Sequence, residues 1–569
     1  MNFPQLTVTE YSLYKIMGKN KKIILAVLFS LAAIITATAA IMFSCNNEKI
    51  AVEEKPAIEK PLVLRTLYPD CWRAFPAGAE VMVRFGLNAF LEKSELLQNS
   101  DLQSLINEYK DALPEKVRAG IDAVIKNPAA AGINLSEPVV AAVYVADSSA
   151  KANVIAAIPL ASRSDMVNLA APVLKELDFE IEARDGLQYI VDPDGNALKN
   201  VVIDEKMILF TGDVPVADVI NDSGARAIDN PKFSGLLESR DDVAVAFDAA
   251  DVYMPPASDK AGKAFSEMLK GMHLLMSLNA EAGHLALSWD LDLPKGYSSV
   301  LSTLDKATGK HMKFVPANSI AVANARLDLN SLIKVLPKFI DNVDTVADIE
   351  SMLKFMGIDK PTLNRMCTEY TVAMLALAKV GRQFAPRFVL AADCPDRAIF
   401  DKIVALVRGR MRNVAADVYA LGANRYMDYS SGMAVERVAG YDYYLAYCAG
   451  TLLILPEDIY KKGLSANGIQ GNARGSQRFA DLKGRAAFAD IAGINREFRS
   501  GALKADKQLM DIVSILHSTG AVKNATIGVD KLSNVELRLN FNDKSNNSLK
   551  VIADIIFSIV NNNVNSIKK

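Results

Sequence analysis

Cys45 is the residue whose surroundings most clearly specify a chemistry. Lys15, Lys19, Lys21 and Lys22 precede an apolar run from Ile23 to Phe43, and Ser44, Cys45, Asn46 and Asn47 follow at once. A basic segment, an apolar core and a small residue before cysteine read as an export signal ending at a lipidation site, with the thiol as acceptor. The run of about 21 residues is also long enough to stay uncut as a signal anchor. In either case the positive flank stays inside, and everything after Cys45 is exported and tethered. Met17 stands as an alternative start, since residues 1–16 add nothing that an export signal needs.

The other residues capable of chemistry form weaker patterns. Four histidines, His273, His284, His311 and His517, show no ligand spacing and read as structural or surface groups. Asp290 and Asp292 alternate with leucines, which puts both carboxylates on one strand face, the solvated one. Asp192-Pro193-Asp194-Gly195-Asn196 looks like a calcium loop, but its glycine comes too early and no bidentate Glu follows, so a hairpin turn accounts for it. Ser-x-x-Lys occurs at Ser148, Ser331 and Ser351 without the partner motifs of a penicillin-recognising site. Gly309-Lys310 is followed by His311 rather than Ser or Thr, so no phosphate-cradling loop is built there. Among Cys71, Cys367, Cys394 and Cys448 there is no CxxC; three pairings and free thiols all stay open, with buried thiols favoured for Cys394 and Cys448.

Tyrosines cluster at Tyr426, Tyr429, Tyr441, Tyr443, Tyr444 and Tyr447. On neighbouring strands they would make either a platform for sugars or peptides or ordinary cross-strand packing. Tyr426, Tyr429, Tyr443 and Tyr447 are the candidate binding surface. Half of the 569 residues are apolar and 23% charged, with a net charge of −2, which describes a globular chain without an electrostatic footprint for nucleic acid. The cluster Arg408, Arg410 and Arg412 suits a helix C-terminus.

The elements that carry these residues recur. FPAGAEVMVRFGLNAFLEKSELL at 75–97 and VPANSIAVANARLDLNSLIKVLPK at 315–338 share an order: Pro-Ala, an alternating apolar run, then Leu-Asn and an amphipathic helix. The separation is 240 residues at Pro76 and Pro316, 242 at Asn88 and Asn330, and 246 at Phe233 and Phe479. A slow drift of this kind is what loop insertions in a tandem duplication leave behind. The expected fold class is α+β, a tandem duplication of a mixed, largely antiparallel sheet-plus-helices unit in two lobes. The domains are the export segment 1–45, a charged, proline-punctuated tether 46–66, a first unit 67–312 and a second unit 313–562. With Phe247 set against Phe488, Asp248 faces Ala489, and no His, Cys or carboxylate cluster is shared between the two copies.

Pro76 and its strand, Leu87, the Leu91-Glu92-Lys93-Ser94 helix and the phrase from Asn127-Pro128 to Gly132-Ile133-Asn134-Leu135 resemble exported lipoproteins of Bacteroidota grouped as a domain-of-unknown-function family. The resemblance covers about Tyr68 to the C-terminus. It implies a place in the cell envelope and a two-part body, and it carries no activity, cofactor or catalytic residue with it. Asp344-Thr345-Val346 resembles the O-glycosylation acceptor of such envelope proteins.

The expected function is therefore that of a membrane-tethered cell-envelope lipoprotein of binding or scaffolding type, placed in the outer membrane with its face left open. No cofactor or metal is implied. Its partners are the membrane, through the lipid, and an envelope protein or glycan, not nucleic acid or a nucleotide. The alternative is an exported hydrolase acting on glycans or peptides with carboxylates at the inter-unit cleft.

Overall fold

A computed structural model describes most of residues 70–555. Outside the described residues lie 1–69, 146–151, 217–225, 253–259, 298–303, 328–350, 355–368, 422–425, 429–432, 436–442, 500–516 and 556–569, with shorter breaks elsewhere. Cys45, Cys367, Tyr429, Tyr441, Asp344, Thr345 and the start of the amphipathic helix expected from Asn330 onward fall there. The described chain is mixed α/β, with every strand pairing antiparallel. It divides into two compact units, Met1–Phe247 with Leu549–Lys569, and Asp248–Ser548.

Unit 1 contains β1 (Val81–Phe85), β2 (Val139–Val145), β3 (Ala152–Pro159), β4 (Glu180–Arg184), β5 (Leu187–Val191), β6 (Ala197–Ile203), β7 (Met207–Thr211) and β8 (Val243–Asp248). Their order across the sheet is β4-β5-β6-β7-β3-β2-β1-β8. Alternation decides the faces: Val140 and Ala142 are fully buried, with Met82 beside them on β1. The β1–β2 connection carries α1 (Leu87–Ser94), α2 (Ser100–Lys110) and α3 (Glu115–Lys126). After β3, α4 (Arg163–Lys175) starts at Ser162, whose hydroxyl accepts from the N–H of Asp165 at 3.2 Å.

Unit 2 has, after the helical turn Ala249–Val252, α5 (Lys260–Lys270) and the hairpin β9 (His273–Glu281) and β10 (His284–Asp292). It continues with β11 (Leu304–Asp305), β12 (Ala321–Leu327), β13 (Glu369–Val380), β14 (Gln383–Asp393), β15 (Met411–Ala415), β16 (Val418–Leu421), β17 (Tyr426–Asp428), β18 (Met433–Val435), β19 (Tyr443–Cys448), β20 (Thr451–Pro456), β21 (Leu464–Ser465), β22 (Gly468–Ile469), β23 (Ala487–Asp490), β24 (Val522–Lys531) and β25 (Asn534–Phe541). The order is β9-β10-β25-β24-β23-β12-β13-β14-β20-β19-β16-β15. The short β11 lies beside β12 and β24. β17–β18 and β21–β22 are separate hairpins.

One face of the unit 2 sheet buries Val322, Ala373, Val389, Leu453 and Phe488 against Phe314, Val315 and Phe479. The other receives α6 (Arg397–Val407) through Ile399, Phe400 and Val404, packed on Leu445 and Leu452. α7 (Ile491–Arg499) follows β23.

The two units repeat local contacts. β1 lies between β2 and β8, as β12 lies between β13 and β23. Pro76 bridges Arg226 and Pro316 bridges Asn472. Ala227 N–H donates to Phe75 at 2.9 Å, and Ala473 N–H to Val315 at 2.7 Å. Lys232 lies over the ring of Phe233 and Arg478 over that of Phe479.

The structure also departs from the sequence reading. Residues 201–210 are divided between β6 and β7, because Asp204 N–H turns back to Met207 carbonyl at 2.8 Å. Residues 522–541 form the hairpin β24–β25. Arg412 falls within β15 rather than at the end of α6. The sequence boundary at 312 follows recurring phrases, whereas the compact units part at Phe247, because β10 pairs with β25.

Candidate functional site

A group of buried ionisable side chains lies where the 3-10 helix Lys310–Phe314 meets the start of β13 and the end of β14. Gly309, at φ 73°, turns the chain so that successive N–H groups converge on one point. Glu369 fills that point. Its Oε1 accepts from Gly309 N–H at 2.8 Å and Lys310 N–H at 3.3 Å, and its Oε2 accepts from Thr308 hydroxyl at 2.7 Å.

Asp393 stands next to it across the ladder, accepting at Oδ2 from Lys310 Nζ at 2.7 Å and from Glu369 N–H at 3.1 Å. His311 is 2% exposed and holds Nε2 3.1 Å from Asp393 Oδ1, off the line that a hydrogen bond needs. One row further in, Thr371 hydroxyl donates to Asn324 at 2.7 Å. Glu369 has its oxygens filled by donors from one turn, which is what a cap does and what a general base cannot afford.

Counting from the prolines shows where this group is peculiar. Cys71 precedes Pro76 by five residues, as His311 precedes Pro316. Val81 pairs with Val143 and Ala321 with Met374, so Pro138 and Pro159 occupy in unit 1 the ladder places of Glu369 and Asp393. The polar cluster thus belongs to unit 2, and unit 1 has Cys, Pro and Pro instead.

The same ladders revise the comparison at the end of the central strands. Val81 pairs with Phe247 and Ala321 with Ala489, so Asp248 matches Asp490 rather than Ala489. A slip of one residue turns a side chain to the opposite face, and aligning two phenylalanines by type conceals it. Phe488 is a core residue at 3% exposure, whereas Phe247 is half-buried. Both carboxylates carry a basic partner. Asp490 is held by Arg478 at 2.6 Å, and Asp248 contacts Nδ1 of His273, whose ring is about half exposed.

No protein-family profile matches the chain, and no curated protein does. A solved structure titled "Structure of crystal form I of TP0453" is similar at 12% identity over 42% of this chain and 88% of that chain, with a TM-score of 0.23. At that score the likeness assigns no fold.

Of the tyrosine surface, Tyr426 lies on β17, and Tyr443 and Tyr447 lie on β19. Tyr447 packs its ring 5.3 Å from that of Phe400 on α6, and burial pushes its hydroxyl pKa up. Tyr443 lies 5.1 Å from the ring of Phe388, and its hydroxyl accepts from Phe388 N–H at 3.2 Å. Tyr444 stacks on Tyr460 at 4.9 Å and donates to Glu457 at 3.0 Å. These described rings serve packing between β19 and its neighbours.

Cys71 and Cys394 are buried, and Cys448 is half-buried. Asp290 and Asp292 are exposed. In the β5–β6 loop, Asp192 Oδ1 accepts from the N–H groups of Asp194 and Asn196, which fixes a turn. Sequence reasoning missed Glu369 and Asp393, because neither lies within 50 residues of its partners on the 308–311 turn. The one available signal was a carboxylate at the first and the last residue of a long hairpin whose flanking segments, 372–378 and 388–392, are apolar.

Proposed function

We propose that the protein is a membrane-tethered cell-envelope lipoprotein of binding or scaffolding type, anchored through Cys45, whose body is a tandem duplication in two lobes. The observation that supports a non-catalytic body most directly is Glu369, whose carboxylate is filled by three donors from one turn. The duplication is supported by the paired bridges at Pro76 and Pro316 and by the equal placing of Asp248 and Asp490 on the central strands. Anchoring is tested by labelling cells with a fatty acid: Cys45→Ala abolishes incorporation, and unchanged labelling rejects the lipid anchor. Cross-linking in intact envelopes followed by pull-down then identifies the protein or glycan that the body holds.

A second reading, an exported hydrolase of glycans or peptides, draws on Asp248 and His273. A carboxylate at 12% side-chain exposure contacts Nδ1 of a ring at 48%, the arrangement that orients an imidazole for proton transfer. Hydrolysis of envelope glycan or peptide fragments that persists unaltered in His273→Ala rejects this reading.

A further inference from the structure

Unit 1 is not made from one stretch of chain. Residues 549–569 group with it, although β25 ends at Phe541 in the other unit. The described part of this segment is helical over 548–555. Two side-chain ties hold it, each spanning 455 residues: Lys550 Nζ pairs with Glu95 Oε2, and Asn99 Nδ2 donates to Asp554 Oδ1 at 2.6 Å. Lys550 and Asp554 stand four apart, so they share one helix face.

The receiving corner is held by hydrogen bonds of its own. Glu95 closes α1 with a left-handed backbone at φ 46°, and its N–H is bound to Glu92 carbonyl. Asn99 opens α2, where its Oδ1 accepts from Leu102 N–H at 2.9 Å. That cap fixes the amide, so its NH2 group points to where Asp554 stands. Asn99 is only 9% exposed, whereas the Lys550–Glu95 pair is partly open to solvent.

We infer that the α1–α2 corner is a helix-docking site and that the chain's own residues 548–555 occupy it as a detachable strap that completes unit 1. The site reads a cation and a carboxylate four residues apart, with Glu95 and the Asn99 amide. This goes beyond anchoring and does not depend on Cys45.

The test uses the full-length protein with a specific protease site inserted between the exposed Lys544 and Ser545. After cutting, the C-terminal fragment is expected to co-elute with the body on gel filtration, and α2 amides keep their hydrogen-exchange protection. Glu95→Lys is expected to release the fragment at least tenfold faster, and Lys550→Glu, a change on the strap alone, to do the same. Glu95→Lys combined with Lys550→Glu restores retention. Loss of the fragment at once from the otherwise unaltered cut protein overturns the inference. So does retention that neither single variant changes, or failure of the charge swap to restore it.

Discussion

Glu369 accepts the N–H of Gly309 at 2.8 Å across 60 residues of chain, so a carboxylate on β13 caps the turn that leads into β12. Glu369→Ala leaves the donors of Thr308, Gly309 and Lys310 without their acceptor. The expected cost is about 2–4 kcal/mol, read as a lower midpoint in urea denaturation. A loss below about 0.5 kcal/mol shows that water replaces the carboxylate and that the cap is not needed.

Tyr447 separates packing from display. Against Phe400, Tyr447→Ala is expected to lose about 2–3 kcal/mol, while Tyr447→Phe keeps the ring and changes stability little. Because burial raises its pKa, the neutral hydroxyl is favoured in the folded protein. The associated stability is complete below the ordinary tyrosine pKa of about 10 and is lost as the pH rises above it. Denaturation midpoints from pH 9 upward check the sign, since the alkaline fall is weaker in Tyr447→Phe.

Glu536 gives the opposite pH dependence. Burial pushes its carboxyl up, but hydrogen bonds from Arg538 and Arg485, the latter at 2.6 Å, outweigh burial and hold it below the ordinary glutamate value. Its stabilisation is present above about pH 4.3 and is lost as the pH falls through the lowered folded value. Glu536→Gln is expected to flatten this acid limb in unfolding curves taken from pH 6 downward, and an acid limb of unchanged steepness counts against the triad.

Gly468, at φ 112°, approaches the 3-10 helix so closely that an added Cβ would stand 2.0 Å from Lys313 carbonyl oxygen. Gly468→Ala combines that collision with an unfavourable backbone. It is expected to cost more than about 3 kcal/mol in a thermal melt, whereas the open Gly471, also at positive φ, tolerates alanine with only the backbone cost of about 1 kcal/mol.

Local sequence carried much of the fold. The short uninterrupted apolar runs VVAAVYV and YYLAYC are legible as β2 and β19, and the Asp192 loop is legible because its turn hydrogen bonds close within five residues. Cys45 and its apolar flank are likewise a statement made within one stretch of chain. Tertiary structure alone decided the rest. Which residues face Glu369, that Asp248 matches Asp490 rather than Ala489, and that Lys550 returns to Glu95 all depend on strand register and on pairs up to 455 residues apart. Periodicity reports which side of an element is apolar, but it contains no term for the distant partner that a polar side chain finds once the sheet has closed.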